Sequence, residues 1–328
     1  MGAPFTFQTI FSDWQWSIFP ATAAIVLLFI TIWYLRSAWL VRLRGHHWSS
    51  WRTTAFLAGI FTVDIALQSG IVQSSMAHFG AHVLQHLLLM VVAPPLLALG
   101  APSTLLLQSS ARRVKTRWLA VLRSPSFAAL SHPLVTFFLY FGTMAIFFLT
   151  PLINVAMHHE SLMDLINISF LLGATLYWWP MIGIDPIVHW KMDYGARMLN
   201  ILLGSAVEAF LGIAIIAESH PIASMYTVND THSGGALLWI STEFVTLGAF
   251  VPIYVQWFRS DQRAGDRSDL ALLRRHRANN QREQLSPSDN LVERSLTPWE
   301  LEWIARTGHA PQELRLSANH LDAQRPQT

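Results

Sequence analysis

Residues 82–100 read HVLQHLLLMVVAPPLLALG and carry no Lys, Arg, Asp or Glu. An α-helix needs ~20 largely apolar residues to cross the hydrocarbon core of a bilayer. The whole chain of 328 residues is 52% hydrophobic and 13% charged, whereas a soluble domain has roughly 25% charged residues. We therefore predict an all-α, polytopic membrane protein in which residues 82–100 form a transmembrane helix.

Similar apolar blocks lie on both sides of this stretch. Because open sheet edges are not stable in lipid, each block is expected to be a helix. Pro94 and Pro95 lie inside the third block and remove backbone donors, so they predict a kink or break there. The seven predicted spans of the bundle are residues 17–35, 54–72, 82–100, 133–151, 164–182, 199–218 and 235–257.

The basic residues indicate the orientation. All 22 Lys and Arg residues lie in the loops after the first, third and fifth spans or in the tail from Arg259 onward. The positive-inside rule predicts that this side is cytoplasmic, with the amino terminus outside. This distribution is typical of membrane topology and argues against a nucleic-acid partner. Residues 1–16 contain no Lys or Arg, so we expect no signal peptide.

Composition divides the chain into two parts. Residues 1–258 are expected to form the transmembrane domain, and residues 259–328 a polar, partly disordered cytoplasmic tail. The sequence Thr297-Pro298-Trp299-Glu300 predicts a helix start, with a threonine cap, a first-turn proline and a glutamate that completes a capping box. A short helix is therefore expected at 297–306.

Histidines are concentrated on the outer side of the predicted bundle, and the chain has no cysteine. Three of them are spaced by four residues, which places them on one helical face. Imidazole suits copper, zinc, iron and nickel, and the thioethers of Met76 and Met90 would favour cuprous copper. We predict a metal site on the outer side. Its candidate ligands are His78, His82, His86, His158, His159 and His232.

Three acidic residues, Asp64, Glu208 and Glu243, fall within predicted spans. Acids inside a membrane are costly and usually face the bundle interior. We expect Asp64 and Glu243 to support the site, either by orienting the imidazoles or as links in a proton path.

Three stretches of this sequence resemble the CtaG-type cytochrome c oxidase assembly factors. Residues 77–102, AHFGAHVLQHLLLMVVAPPLLALGAP, match a signature of paired histidines, Pro-Pro-Leu-Leu and Leu-Gly-x-Pro. Residues 177–186, YWWPMIGIDP, and residues 230–239, DTHSGGALLW, look like two further segments of the family. The resemblance covers about residues 15–260, in the family's order.

The resemblance implies a seven-helix factor in the bacterial plasma membrane that helps to mature haem–copper oxidases. It implies copper as the ligand and the oxidase catalytic subunit, met laterally in the lipid, as the partner. His82 and His86 match the family's paired histidines, and Asp230 matches its acid before the last helix. Val83 and Leu87 replace the methionines expected after the two histidines, and Thr231 replaces a glutamine.

Other functions remain open from the residues alone. A haem or redox membrane protein would need axial histidines on different helices, and a copper permease would need a polar path to the inside. A retinal protein is excluded because Lys115 and Lys191, the only lysines, lie in loops. Phosphate-loop and nucleophile-elbow motifs are absent from the sequence, so we expect a protein that is not an enzyme.

Overall fold

The computed structural model describes residues 14–185, 189–285 and 297–308, and every regular element in these ranges is helical. The all-α prediction is therefore confirmed. The chain divides into two compact units, residues 1–258 and 259–328. The helices are α1 (Ile18–Leu43), α2 (Ser50–Gln68), α3 (Gly70–Ser75), α4 (Phe79–Leu87), α5 (Ala93–Leu99), α6 (Pro102–Ser109), α7 (Arg112–Leu122), α8 (Pro125–Leu130), α9 (Pro133–Phe137), α10 (Thr143–Leu149), α11 (Leu152–Met157), α12 (Glu160–Ile182), α13 (Tyr194–Ala217), α14 (Val228–Leu285) and α15 (Pro298–Thr307), with π-helical segments at Leu88–Val92 and Phe138–Gly142.

Five helical stretches in the described part of the chain are long and apolar enough to cross a membrane. They coincide with five of the seven predicted spans, whereas the count of seven and the orientation stay predictions. The predicted spans 54–72 and 133–151 fall on α2 with α3 and on the shorter apolar helix Pro133–Leu149. The five stretches are Ile18–Leu43, Phe79–Ser109, Glu160–Ile182, Tyr194–Ala217 and Val228–Gln281.

Capping residues move several helix ends away from the predicted bounds. The second span breaks after Gln68, where the Ser69 hydroxyl accepts a hydrogen bond from the N–H of Ile71 (3.3 Å) and starts α3. α13 begins at Tyr194 rather than at residue 199 because Asp193 caps it.

The tail contains more helix than the sequence predicts. α14 continues to Leu285, through residues expected to belong to a partly disordered segment. This polar stretch is rich in Arg, Leu, Ala and Gln, which are good helix formers. α15 starts with the predicted capping box, in which Glu300 accepts hydrogen bonds from the N–H and the hydroxyl of Thr297, each 2.6 Å long.

An apolar stripe on α1 is exposed. Ile25, Leu28, Phe29 and Ile32 lie three or four residues apart, and all four side chains are largely uncovered. Contiguous apolar surface of this kind is rare on soluble monomers and is typical of contact with lipid. It supports the membrane character of the protein independently of helix length.

The two prolines of the Phe79–Ser109 stretch change the local hydrogen bonding, while the kink itself stays a prediction. Because Pro94 has no N–H, the carbonyl of Met90, four residues earlier, lacks its usual helical donor. The indole N–H of Trp178 on α12 donates to that carbonyl instead, at 3.0 Å. A π-helical segment, Leu88–Val92, precedes the prolines. A side chain from another helix therefore satisfies the carbonyl that the proline leaves without a helical donor.

A buried carboxylate fixes the far end of the same stretch. Ala101 has a left-handed φ of 49°, and α6 starts directly after it. Asp185 accepts hydrogen bonds from the N–H of Ser103 (3.0 Å) and from the N–H (2.8 Å) and hydroxyl (2.6 Å) of Thr104. Burial raises the pKa of Asp185, while the hydrogen bonds from Thr104 and Ser103 oppose that rise. The hydroxyl of Tyr34 donates to the carbonyl of Gly100 at 2.7 Å.

Loops predicted to share a side of the membrane contact one another. The Arg44 guanidinium donates to the carbonyls of Gln108 and Ser109, each at 3.0 Å, which joins the loops after the first and third spans. At the other end, the N–H of Gln15 donates to the carbonyl of Gln68 at 2.7 Å. These contacts agree with the alternation of the basic loops.

Candidate functional site

Two imidazoles meet inside the first unit. His82 and His86 lie one turn apart on α4, and their Nε2 atoms are 2.9 Å apart. Their side chains are almost wholly buried, with 1% and 3% of their surface exposed. A hydrogen bond between two neutral imidazoles requires that one Nε2 carries the proton and the other accepts it. The rings are therefore in opposite tautomers.

The other ring nitrogen of each histidine has no partner in the part of the chain that the structure describes. Nδ1 of His82 and Nδ1 of His86 are buried and form no hydrogen bond with any described residue. A buried polar atom left in this state costs about 1–3 kcal/mol. Unsatisfied buried groups are uncommon in native proteins and often mark a site that binds a ligand or water.

An aromatic wall surrounds the two histidines. The ring of Phe147 is nearly parallel to His82, with centroids 5.7 Å apart. Phe170 meets His86 edge-on at 5.0 Å, and Phe148 does so at 6.0 Å. These apolar rings shield the imidazoles from bulk water and hold their orientation.

Soft ligand atoms lie beside His86. A cavity of about 10 Å³ is lined by His86, Met90, Met144 and Glu208, together with apolar side chains. A space of about 10–15 Å³ is enough for one water molecule. The cavity therefore brings an imidazole, two thioethers and a carboxylate around one small volume.

Glu208 is the only acid in the described part of the chain that lines this space. Its side chain is buried, and the hydroxyl of Tyr140 donates to its Oε1 at 3.3 Å. Glu208 also borders a second cavity of about 20 Å³, which Tyr177 and Trp178 line. The Glu208 side chain thus borders both small cavities.

The start of α14 and the residues just before it hold the start of α4. Asp230 accepts a hydrogen bond from the N–H of Phe79 at 2.5 Å, and the hydroxyl of Tyr226 donates to the carbonyl of Ser75 at 2.6 Å. Gly234 allows Phe79 to pack closely, since a Cβ at this glycine would lie 2.2 Å from the Phe79 ring. These contacts position the turn that carries the two histidines.

The structure does not bring the other predicted histidine ligands to this pair. His158 and His159 are exposed, and Nδ1 of His158 donates to the carbonyl of Asn154 at 2.6 Å. His232 donates through Nε2 to the carbonyl of Glu218 at 2.9 Å, and His78 is a half-buried residue before α4. Within the described ranges, no three or more His, Asp or Glu side chains form a group that could hold a metal.

Some of the predicted supporting residues lie near the histidine pair and others do not. Met90 lines the small cavity, whereas Met76 lines a different one. Asp64 hydrogen-bonds with Gln68 on its own helix, and Glu243 is exposed. Neither acid orients the imidazoles here, because both Nδ1 atoms lack a described partner.

Sequence reasoning missed Met144 and did not assign Glu208 to the site. Met144 lies on α10, and no motif in the sequence connects it with α4. Glu208 stands out as an acid within an apolar helix, and this signal could have placed it at the site.

Comparison with known sequences relates this chain to a protein family. A family model described as cytochrome c oxidase caa3 assembly factor matches residues 32–260. The chain belongs to this family. The match spans His82, His86, Met144, Glu208 and Asp230, and it confirms the resemblance to the CtaG-type assembly factors.

The curated relatives of this assembly-factor family member are longer. An uncharacterized protein of Mycobacterium leprae is 31% identical over 277 residues, covering 79% of this chain and 41% of the relative. An uncharacterized protein of Mycobacterium bovis is 29% identical over 287 residues, covering 81% of this chain and 42% of the relative. The chain thus spans about two-fifths of their length. No solved structure matches it.

Proposed function

We propose that this chain is a non-enzymatic assembly factor in the bacterial plasma membrane that binds cuprous copper at His82 and His86 and supplies it to a haem–copper oxidase. The convergence of two buried Nε2 atoms at 2.9 Å is the observation that carries this proposal. The family supplies the oxidase context. Copper is the cargo, and the catalytic subunit of the oxidase, met laterally in the membrane, is the recipient.

The donor atoms suit this ion. Two nitrogens that each bind one ion at ~2.0 Å can be at most ~4 Å apart, and the two Nε2 atoms satisfy this limit. Met90 and Met144 offer thioether sulfur next to His86, and imidazole with thioether favours cuprous copper. These two methionines offset the soft ligands that are missing at Val83 and Leu87.

Binding requires one proton to move within the pair. Both Nε2 lone pairs must face the ion, so the proton shared between the two Nε2 atoms has to leave that position. Each Nδ1 atom is unpartnered among the described residues and can carry the proton of its own neutral ring. Both histidines then bind as neutral imidazoles, and Glu208 provides a nearby negative charge for the buried cation.

Two alternative functions fit the geometry less well. Axial ligation of haem places a porphyrin between two histidines, but His82 and His86 contact each other directly and are packed by phenyl rings. A permease needs a continuous polar path, whereas the described cavity beyond Glu208 measures only about 20 Å³ and is bordered by Tyr177 and Trp178.

Copper content tests the proposal. The wild type and the His82→Ala/His86→Ala variant are purified in detergent, loaded anaerobically with cuprous copper, desalted and assayed for metal. A His158→Ala/His159→Ala variant, which removes two exposed histidines, is the matched control. We expect about one copper per chain in the wild type and the control, and a loss in the first variant. Equal retention in all three proteins would overturn the assignment of the site.

A further inference from the structure

A larger cavity lies at the end of the bundle where α1, α4 and α12 begin. Its volume is about 330 Å³, and it is lined by residues that include Ser17, Leu67, Met76 and Glu160. The sequence predicts that this end faces the outside of the cell. With about 30 Å³ of liquid volume for each water molecule, the cavity has room for a hydrated ion.

Three polar residues of α12 line one wall of this cavity at increasing depth. Glu160, Asp164 and Asn167 are spaced by four and three residues, so they share a helical face. Glu160 is exposed, Asp164 is half-buried, and Asn167 exposes only 5% of its surface. The wall therefore runs from solvent into the protein.

The deepest of these residues has an unused acceptor. Oδ1 of Asn167 is buried and forms no hydrogen bond with a described residue. Because Asn167 lines the cavity, a ligand there could satisfy this acceptor. An amide oxygen is an acceptor, so it suits a cation or a donor group.

The remaining lining also favours a cation. Met76, Met163 and the buried Gln85 contribute thioether and amide groups. No Lys, Arg or His occurs among the described residues that line the cavity, and neither Glu160 nor Asp164 forms an ion pair with a described residue. Within the described residues, the two carboxyl groups therefore lie beside soft ligands without a basic side chain to balance them.

Both α4 and α12 supply residues to this cavity and to the surroundings of the histidine pair. Gln85 directly precedes His86 on α4. Phe170 lies one turn beyond Asn167 on α12, and its ring is 5.0 Å from the His86 ring. The cavity wall and the histidine pair are thus connected along both helices.

We propose that this acidic cavity, defined by Glu160, Asp164 and Asn167, captures cuprous copper from the outer side and passes it to His82 and His86. The inference rests on the proposed function of that pair. Glu160 and Asp164 raise the rate of cation capture, as negatively charged clefts do for cations. Transfer is an exchange of ligands, and the copper keeps its oxidation state throughout.

The rate of copper uptake tests this role. Cuprous copper is offered from a coloured chelator, and its loss from the chelator is followed over time in the wild type and in a Glu160→Gln/Asp164→Asn variant. Glu218→Gln is the control, because Glu218 is an exposed carboxylate that lies outside this cavity. The double variant should load about tenfold more slowly at low salt and reach the same final copper content. The control should load like the wild type.

Each outcome separates the two proposals. An unchanged rate in the double variant, with copper still lost in His82→Ala/His86→Ala, would overturn only the role of the acidic cavity. A lower final copper content with an unchanged rate would also overturn it and would assign the acids to the storage site. No copper in the wild type would overturn both proposals. Met163→Leu, which keeps the apolar volume and removes a thioether, should also slow loading if the ion contacts sulfur.

Discussion

Two aspartates cap helices at opposite ends of the Phe79–Ser109 stretch, and their surroundings differ. Asp185 is buried at the far end and accepts three hydrogen bonds from Ser103 and Thr104. Asp230 caps the near end, one turn before two histidines whose Nδ1 atoms lack described partners. Satisfied polar groups stabilise a fold, whereas unsatisfied ones are retained where they bind something. We therefore assign stability to the far end and chemistry to the near end.

The largest effect on stability is expected from removing Asp185, the cap at the far end of the Phe79–Ser109 stretch. Asp185→Ala leaves two backbone N–H groups of α6 without their acceptor and removes the cap. We expect a loss of about 3 kcal/mol in the free energy of unfolding, measured by reversible unfolding in mixed micelles. Asp193→Ala is the control, since Asp193 caps α13 at an exposed position through one bond and should cost about 1 kcal/mol. Equal losses would remove the distinction between a buried and an exposed cap.

The next largest effect on stability is expected at the close contact between Gly234 and Phe79, at the near end of the stretch. Gly234→Ala places a Cβ 2.2 Å from the Phe79 ring, so that ring must shift. We expect a loss of about 2 kcal/mol in unfolding free energy, and reduced copper binding because Phe79 lies against His82. Gly248→Ala, where a Cβ meets nothing within 4 Å, should not lower the unfolding free energy and should leave copper binding unchanged. Normal copper binding in Gly234→Ala would show that Phe79 does not position the site.

Replacement of the histidine pair should abolish copper binding without lowering stability, which is the opposite of the effect expected for a residue that stabilises the fold. His82→Leu/His86→Leu removes two unsatisfied buried nitrogens while keeping apolar volume. The copper-free variant should be as stable as the wild type or more stable by about 1 kcal/mol, although it no longer binds copper. Unfolding curves without metal provide the measurement. A large destabilisation would mean that the pair is a structural hydrogen bond.

The cap at the near end should have a smaller effect on stability. Asp230→Ala removes one acceptor at the start of α4 and should cost about 1 kcal/mol in unfolding free energy. Copper affinity should fall with it, because α4 carries both histidines. Asp230→Asn keeps an acceptor and should retain most of both properties. If Ala and Asn variants behave alike, the hydrogen bond to Phe79 has no part in holding the site.

The dependence of protein stability on pH should distinguish Asp185 from an ordinary surface acid. Because burial raises its pKa in the folded state, its favourable contribution to stability is present at low pH and declines as pH rises through that raised pKa. The stability of the wild type minus that of Asp185→Asn should therefore fall as the pH rises from 4 to 7. A difference that rises with pH would mean that the hydrogen bonds from Thr104 and Ser103 outweigh burial.

Local patterns predicted the parts of the molecule that depend on local physics. The apolar blocks, the pairing of His82 with His86 and the capping box at Thr297 all follow from residues close in sequence. The tail is the exception, since residues 259–285 are helical although their polarity suggested disorder.

Contacts between distant segments could not be predicted in this way. Trp178 supplies the donor that Pro94 removes from Met90, 88 positions away in the sequence. Met144 reaches the small cavity from α10, and nothing near it in the sequence indicates this. Conversely, residues on the same predicted side need not meet: His158 bonds to its own helix instead of joining the pair.

Copper X-ray absorption on the loaded wild type is the most direct test of the central claim. A cuprous ion at the proposed site should show imidazole nitrogens at ~2.0 Å and a sulfur scatterer at ~2.3 Å. The imidazole signal should disappear in His82→Leu/His86→Leu, and the sulfur signal should weaken in Met90→Leu/Met144→Leu. Oxygen-only coordination, or a spectrum that neither variant changes, would contradict the assignment of copper to this pair.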